Sequence, residues 1–188
     1  MLARSRGSEW IRLTLAGACF AALSLGAAHA RADVSSWAYA GYGPSTVDDG
    51  NGYETQHFLQ LETGLGTPAS HPFILGGLFK FGTHFGRGTD LGLSLRGATQ
   101  GFQLGGFGLA VDLGGYERFW EKGSVGGQGS LVLGAPWGIT MSLTGGIGSN
   151  DARHASLSIG IDFARLSVYR LSGENWFPNP YPAYRPKD

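Results

Sequence analysis

Large apolar residues occupy every second position through residues 104–113: Phe107, Leu109, Val111 and Leu113 share one face, and Gly106, Gly108, Ala110 and Asp112 share the other. A strand turns successive side chains to opposite sides of a sheet, so this period builds one greasy wall and one small or polar wall. The pattern recurs with Leu91, Leu93 and Leu95 opposite Gly92, Ser94 and Arg96. It returns with Leu157, Ile159, Ile161 and Phe163 opposite Ser156, Ser158, Gly160 and Asp162. No helical period appears beyond the first thirty or so residues, so the chain reads as all-β.

The alternation predicts eight strands, at residues 35–42, 55–65, 73–84, 89–98, 104–115, 124–133, 137–148 and 154–169. Segments rich in Gly, Pro, Asn, Asp and Ser separate them, the residues that build turns. Residues 43–54, 85–88, 116–123 and 148–153 read as mostly longer polar loops at one end. Residues 66–72, 99–102 and 134–136 read as compact turns at the other.

Three arginines, Arg4, Arg6 and Arg12, precede an uncharged stretch at residues 13–27 and then Ala28-His29-Ala30. A positive start, an apolar middle and an A-x-A site describe a secretory signal, with cleavage expected after Ala30. The apolar run is too short and too rich in Ala and Gly for a membrane-spanning helix. The single cysteine, Cys19, lies within this segment, so the mature chain is expected to use neither a disulfide nor thiol chemistry. Three segments follow: residues 1–30 as signal, 31–171 as barrel, and 172–188 as a tail.

An even set of alternating strands behind a signal resembles the small outer-membrane β-barrels of Gram-negative bacteria, with the architecture of the OmpA transmembrane domain and OmpX. The resemblance covers roughly residues 35–170 and rests on repetition, because each barrel strand is a weak signal alone. It implies a single eight-stranded antiparallel up-and-down transmembrane barrel with outer-membrane lipid as its surroundings. A soluble periplasmic barrel holding an apolar ligand has the opposite polarity, with its greasy walls inward. Its outer wall would then consist mainly of Gly, Ala and Ser, in a chain with only 15% charged residues against about 25% in typical soluble domains. Facing Leu, Val, Ile and Phe toward lipid lets small residues fill a narrow lumen instead.

With those faces, Glu62, Lys80, Arg96, Asp112 and Asp162 point inward. Isolated charges are costly in a low-dielectric interior, so these are expected to pair, either plugging the lumen or lining a narrow pore or gate. Trp37, Tyr39, Tyr42, Tyr116, Trp120, Trp137 and Tyr169 sit near strand ends and are expected to form two interfacial girdles.

His154-Ala155-Ser156 places a His and a Ser on one strand face, a spacing that resembles the lipid A deacylase family of barrels. That family adds a downstream Glu, whereas here Glu174 lies out in the tail. A catalytic role for His154 and Ser156 is therefore a distant alternative to a non-enzymatic structural, surface-interaction or narrow-pore role. His57, His71 and His84 lack metal-site spacing, residues 48–52 read as a turn and not a calcium loop, and no cofactor is expected. Zero formal net charge argues against nucleic acid as a partner. The tail interleaves Pro178, Pro180, Pro182 and Pro186 with Trp176, Phe177, Tyr181 and Tyr184, a composition suited to docking on a partner and not to a strand.

Overall fold

The structure is a computed structural model describing residues 34–48, 50, 52–119 and 123–167. The expected signal and tail, with Trp120 and Tyr169, lie outside the described residues. Eight strands follow in order: β1 Ser35–Asp48, β2 Tyr53–Gly66, β3 Phe73–His84, β4 Gly88–Thr99, β5 Gly108–Phe119, β6 Ser124–Gly134, β7 Ile139–Gly148 and β8 Arg153–Asp162. Each pairs antiparallel with its sequence neighbour, and β1 also pairs with β8, which closes the barrel. Closure leaves no unpaired sheet edge.

The connections differ from the pattern read in the sequence. β1 and β2 continue their ladder from Gly43↔Phe58 to Asp48↔Tyr53, so the expected long loop shrinks to residues 49–52. Asp48 makes that tight turn, its Oδ1 accepting from the Gly50 and Gly52 amides at 2.9 and 3.2 Å. At the same end, Asn150 and Asp151 take φ of 60° and 57° between β7 and β8. This left-handed pair suits strand twist and is tolerated by short polar side chains. The longer connections, residues 67–72 and 100–107, lie instead at the end that holds Ser35 and Asp162.

Two helical turns, absent from the sequence expectation, close that second end. Residues 100–103 form α1 (Gln100–Gln103), so β5 begins at Gly108 and not at 104. Thr99 stops β4 by capping α1, its hydroxyl accepting from the Phe102 amide at 3.4 Å. Phe102 then turns into the barrel, where it is fully buried. β8 stops at Asp162, whose Oδ1 accepts from the Ala164 and Arg165 amides of α2 (Phe163–Ser167) at 3.0 and 3.1 Å.

Outside, the barrel is apolar. Leu75, Leu93, Leu95, Leu113 and Ile147 are between 64% and 75% exposed, and all belong to the outward faces expected from the alternation. Inside, the small-residue expectation is corrected in part. Trp37, Phe58, Ile74, Leu78, Phe102 and Val132 are buried in the interior, and in β1 the parity is reversed, with Trp37 and Tyr39 inward and Ala38 and Ala40 outward. Glycines make room for these rings: a Cβ at Gly66 or Gly76 would strike the Trp37 indole. Large and small side chains thus fill complementary interior positions.

Candidate functional site

The charged interior is a belt crossing the lumen at mid-height. Glu62↔Lys80 and Arg96↔Asp112 are direct cross-strand pairs, so the ladder register itself juxtaposes opposite charges. Arg96 donates from Nη2 to Glu62 Oε2 at 2.7 Å, from Nε to Asp112 Oδ1 at 2.7 Å and from Nη2 to Asp112 Oδ2 at 2.8 Å. Lys80 Nζ lies 2.7 Å from Asp112 Oδ2 and 3.1 Å from Glu62 Oε1. All four are at most 5% exposed.

Neutral groups carry the belt around the remaining strands. Lys80 donates to Ser130 Oγ at 2.8 Å, and Ser130 bonds Thr144 at 2.8 Å. On the other side Gln60 donates to Glu62 at 2.7 Å, Ser158 donates to Gln60 at 2.7 Å, and Tyr39 bonds Ser158 at 3.0 Å. Every strand therefore contributes a side chain. Two cations balance two anions, which is what makes the buried charge tolerable. Trp37 and Phe102 face the Arg96 guanidinium with ring centroids 5.4 and 5.6 Å away, adding cation–π attraction.

Asp162 stands apart from this belt. It is buried as expected, but its Oδ1 accepts backbone amides, including Ala38 at 3.3 Å, and no lumen cation pairs with it among the described residues. Its position at the strand terminus makes it a helix cap. The cation beside it, Arg165, lies beyond the candidates that the alternation picks out. Arg165 donates to the carbonyls of Phe102, Ile139, Gly106 and Ala135 and to Thr140 Oγ1, at 2.6 to 3.3 Å, and so stitches α1, α2 and the β6–β7 turn into a floor. Burial is the main influence on its guanidinium and pulls its pKa below the usual value, with Asp162 acting in the opposite sense.

A second polar cluster closes the far mouth. Arg118 holds Asp90 through two bonds of 2.6 Å. His84 Nε2 lies 3.1 Å from Asp90 Oδ2, and His84 Nδ1 bonds Ser45 Oγ at 2.8 Å. The connectivity is that of a Ser–His–Asp relay, but its setting is unsuited to acyl transfer. Arg118 Nη2 also stands 3.3 Å from His84 Nε2, so that ring nitrogen is shared between a cation and the Asp90 carboxylate and is not held by Asp90 alone. Ser45 and His84 are 2% and 1% exposed, and the cavity beside His84 and Asp90 measures about 20 Å³, room for one water. Asp90 shares parity with Arg96, His84 with Lys80 and Arg118 with Asp112, so extending the alternation reaches all three.

His154 and Ser156 both point into this upper lumen. His154 Nδ1 has no hydrogen-bond partner; its ring packs edge-on to Tyr116 and His84, with centroids at 4.9 and 5.6 Å. Among the expected girdle aromatics, Tyr42 and Trp137 are exposed on the outside, about half their surface free. Trp37, Tyr39 and Tyr116 are buried inside, because strand parity and not proximity to a strand end sets their direction. Among the described residues no cluster of His, Cys, Asp and Glu is arranged to hold a metal.

No protein-family model, curated protein or solved structure matches this chain.

Proposed function

We propose that this chain is an outer-membrane β-barrel of a Gram-negative bacterium, exported through its N-terminal signal, with a plugged lumen and a non-catalytic structural or surface-interaction role. The observation that carries the reading is the inversion of polarity. Leucine, isoleucine and phenylalanine cover the outer wall, while ion pairs fill the centre. Water would leave that outer wall as a nearly continuous apolar surface, far beyond the few hundred Å² a soluble monomer usually exposes. Lipid solvates it, and closed ladders satisfy the backbone where no water can. Strands of 10 to 14 residues also suit a tilted crossing.

The belt, the Arg165 floor and the Arg118–Asp90 cluster favour a plug over a pore, so the protein acts through its outer wall and turns. Fractionation is the test. Retention in outer membranes through a carbonate wash, with heat-modifiable gel mobility, is the expected result. Recovery of the folded protein in osmotic-shock fluid would overturn the proposal in favour of a soluble barrel.

A further inference from the structure

The outer wall is not uniformly greasy. Outward-facing Gly129, Gly145 and Ala155 are cross-strand neighbours on β6, β7 and β8, and the Thr46 side chain of β1 continues their row. Toward the Arg165 floor, the next row is Leu131, Leu143 and Leu157, all exposed. Toward the opposite end lie Ile147 and Arg153, cross-strand partners, with Tyr53 close by. A groove of about 620 Å³, within the range of ligand sites, opens over Thr46, Gly129, Gly145 and Ala155, with Ile147, Tyr53 and Arg153 also lining it. At its polar rim stands the exposed guanidinium of Arg153, which no carboxylate of the described residues engages in an ion pair. The nearest acidic neighbour in register, Asp48, has its Oδ1 held by the turn amides of Gly50 and Gly52.

We propose that this groove is a binding site for one anionic phospholipid, an acyl chain lying over Gly129, Gly145 and Ala155 with the phosphate on Arg153. The inference rests on the membrane reading above and adds a specific partner to it. Charge complementarity selects the occupant. A hydrocarbon chain alone fills the recess but leaves the guanidinium unanswered, whereas a phosphate accepts its hydrogen bonds bidentately. Tyr53, 67% exposed beside it, adds an amphipathic ring at headgroup level.

Gly145 permits a clean test, because a Cβ there meets only the His154 carbonyl oxygen at 3.9 Å and its φ lies outside the left-handed region. Gly145→Leu therefore fills the groove without moving the wall. The full chain, folded in detergent micelles, is titrated with dioleoylphosphatidylglycerol or dioleoylphosphatidylcholine and read by native mass spectrometry. The wild type is expected to retain the anionic lipid about tenfold better. Arg153→Gln should erase that preference, and Gly145→Leu should abolish retention of both lipids, while both variants keep heat-modifiable mobility. Equal retention of the two lipids by the wild type, or undiminished retention by Gly145→Leu, would overturn the proposal. So would a lipid-free dimer lost in Gly145→Leu, which assigns the face to a second copy. Failure of the membrane reading appears separately, as wild-type protein in the osmotic-shock fluid.

Discussion

Removing the Arg96 side chain tests the lumen belt most directly. The Arg96→Ala variant loses three charge-assisted hydrogen bonds and the contacts with Trp37 and Phe102, at a site 1% exposed. Glu62 and Asp112 then share a single cation, Lys80, and the belt carries a net negative charge where water has little access. Breaking a buried ion pair by deleting one partner typically costs about 3–5 kcal/mol. Against a total stability of about 5–15 kcal/mol, that is a large fraction. The double variant Arg96→Ala with Asp112→Ala restores neutrality, leaving Lys80 paired with Glu62. It should recover at least about 1.5 kcal/mol relative to the sum of the single substitutions, as expected for coupled neighbours. Urea titration of the refolded barrel, followed by heat-modifiable mobility on gels, reads both quantities. A single variant within about 1 kcal/mol of wild type, or strict additivity in the cycle, would refute the claim that these charges are mutually dependent.

The same geometry sets three further expectations. Leu95→Arg places a charge on a mid-strand residue 75% exposed; in lipid it should destabilise the barrel by about 2–4 kcal/mol, whereas in a water-facing wall the change stays within about 0.5 kcal/mol, and unfolding in vesicles separates the two. Arg165→Ala leaves the carbonyls of Phe102, Gly106, Ala135 and Ile139 without that donor; a loss of at least about 3 kcal/mol is expected, and Arg165→Lys should not rescue it, because one ammonium cannot reproduce the planar fork. A fluorophosphonate probe should leave Ser45 unmodified in the folded protein, read by intact-mass spectrometry, and stoichiometric labelling would reverse the assignment of the Ser45–His84–Asp90 cluster to a closing role.

Much of the belt is legible in the order of residues alone, and the reason is the strict period of a strand. Once Leu91, Leu93 and Leu95 face one way, Arg96 must face the other, and the same parity turns Lys80 and Asp112 inward. The departures have equally physical causes. Arg118 escapes a strand drawn at 104–115, because Phe102 and α1 take the residues before Gly108 to close the floor while ladder pairing carries the strand on through Arg118, opposite Asp90 and Ser124. The long loop expected at 43–54 vanishes because ladder pairing through Asp48↔Tyr53 outcompetes the turn propensity of Gly43 and Pro44. Proximity to a strand end points Trp37 and Tyr39 outward, yet the glycines that seat Trp37 lie on β2 and β3, far along the chain.

Local sequence therefore determined what a strand can determine alone: all-β character, eight strands, and the face each side chain takes wherever alternation is regular. Closure, register and depth belonged to the tertiary structure. Which charge meets which depends on ladders between segments well separated in the chain, such as Arg96 with Asp112 and Lys80 with Glu62. That Asp162 caps a helix, that Arg165 seals a floor, and that Gly129, Gly145 and Ala155 form one groove depend on those same long-range pairings. A period-two pattern fixes direction across the sheet, but position along and around it exists only once the strands are joined.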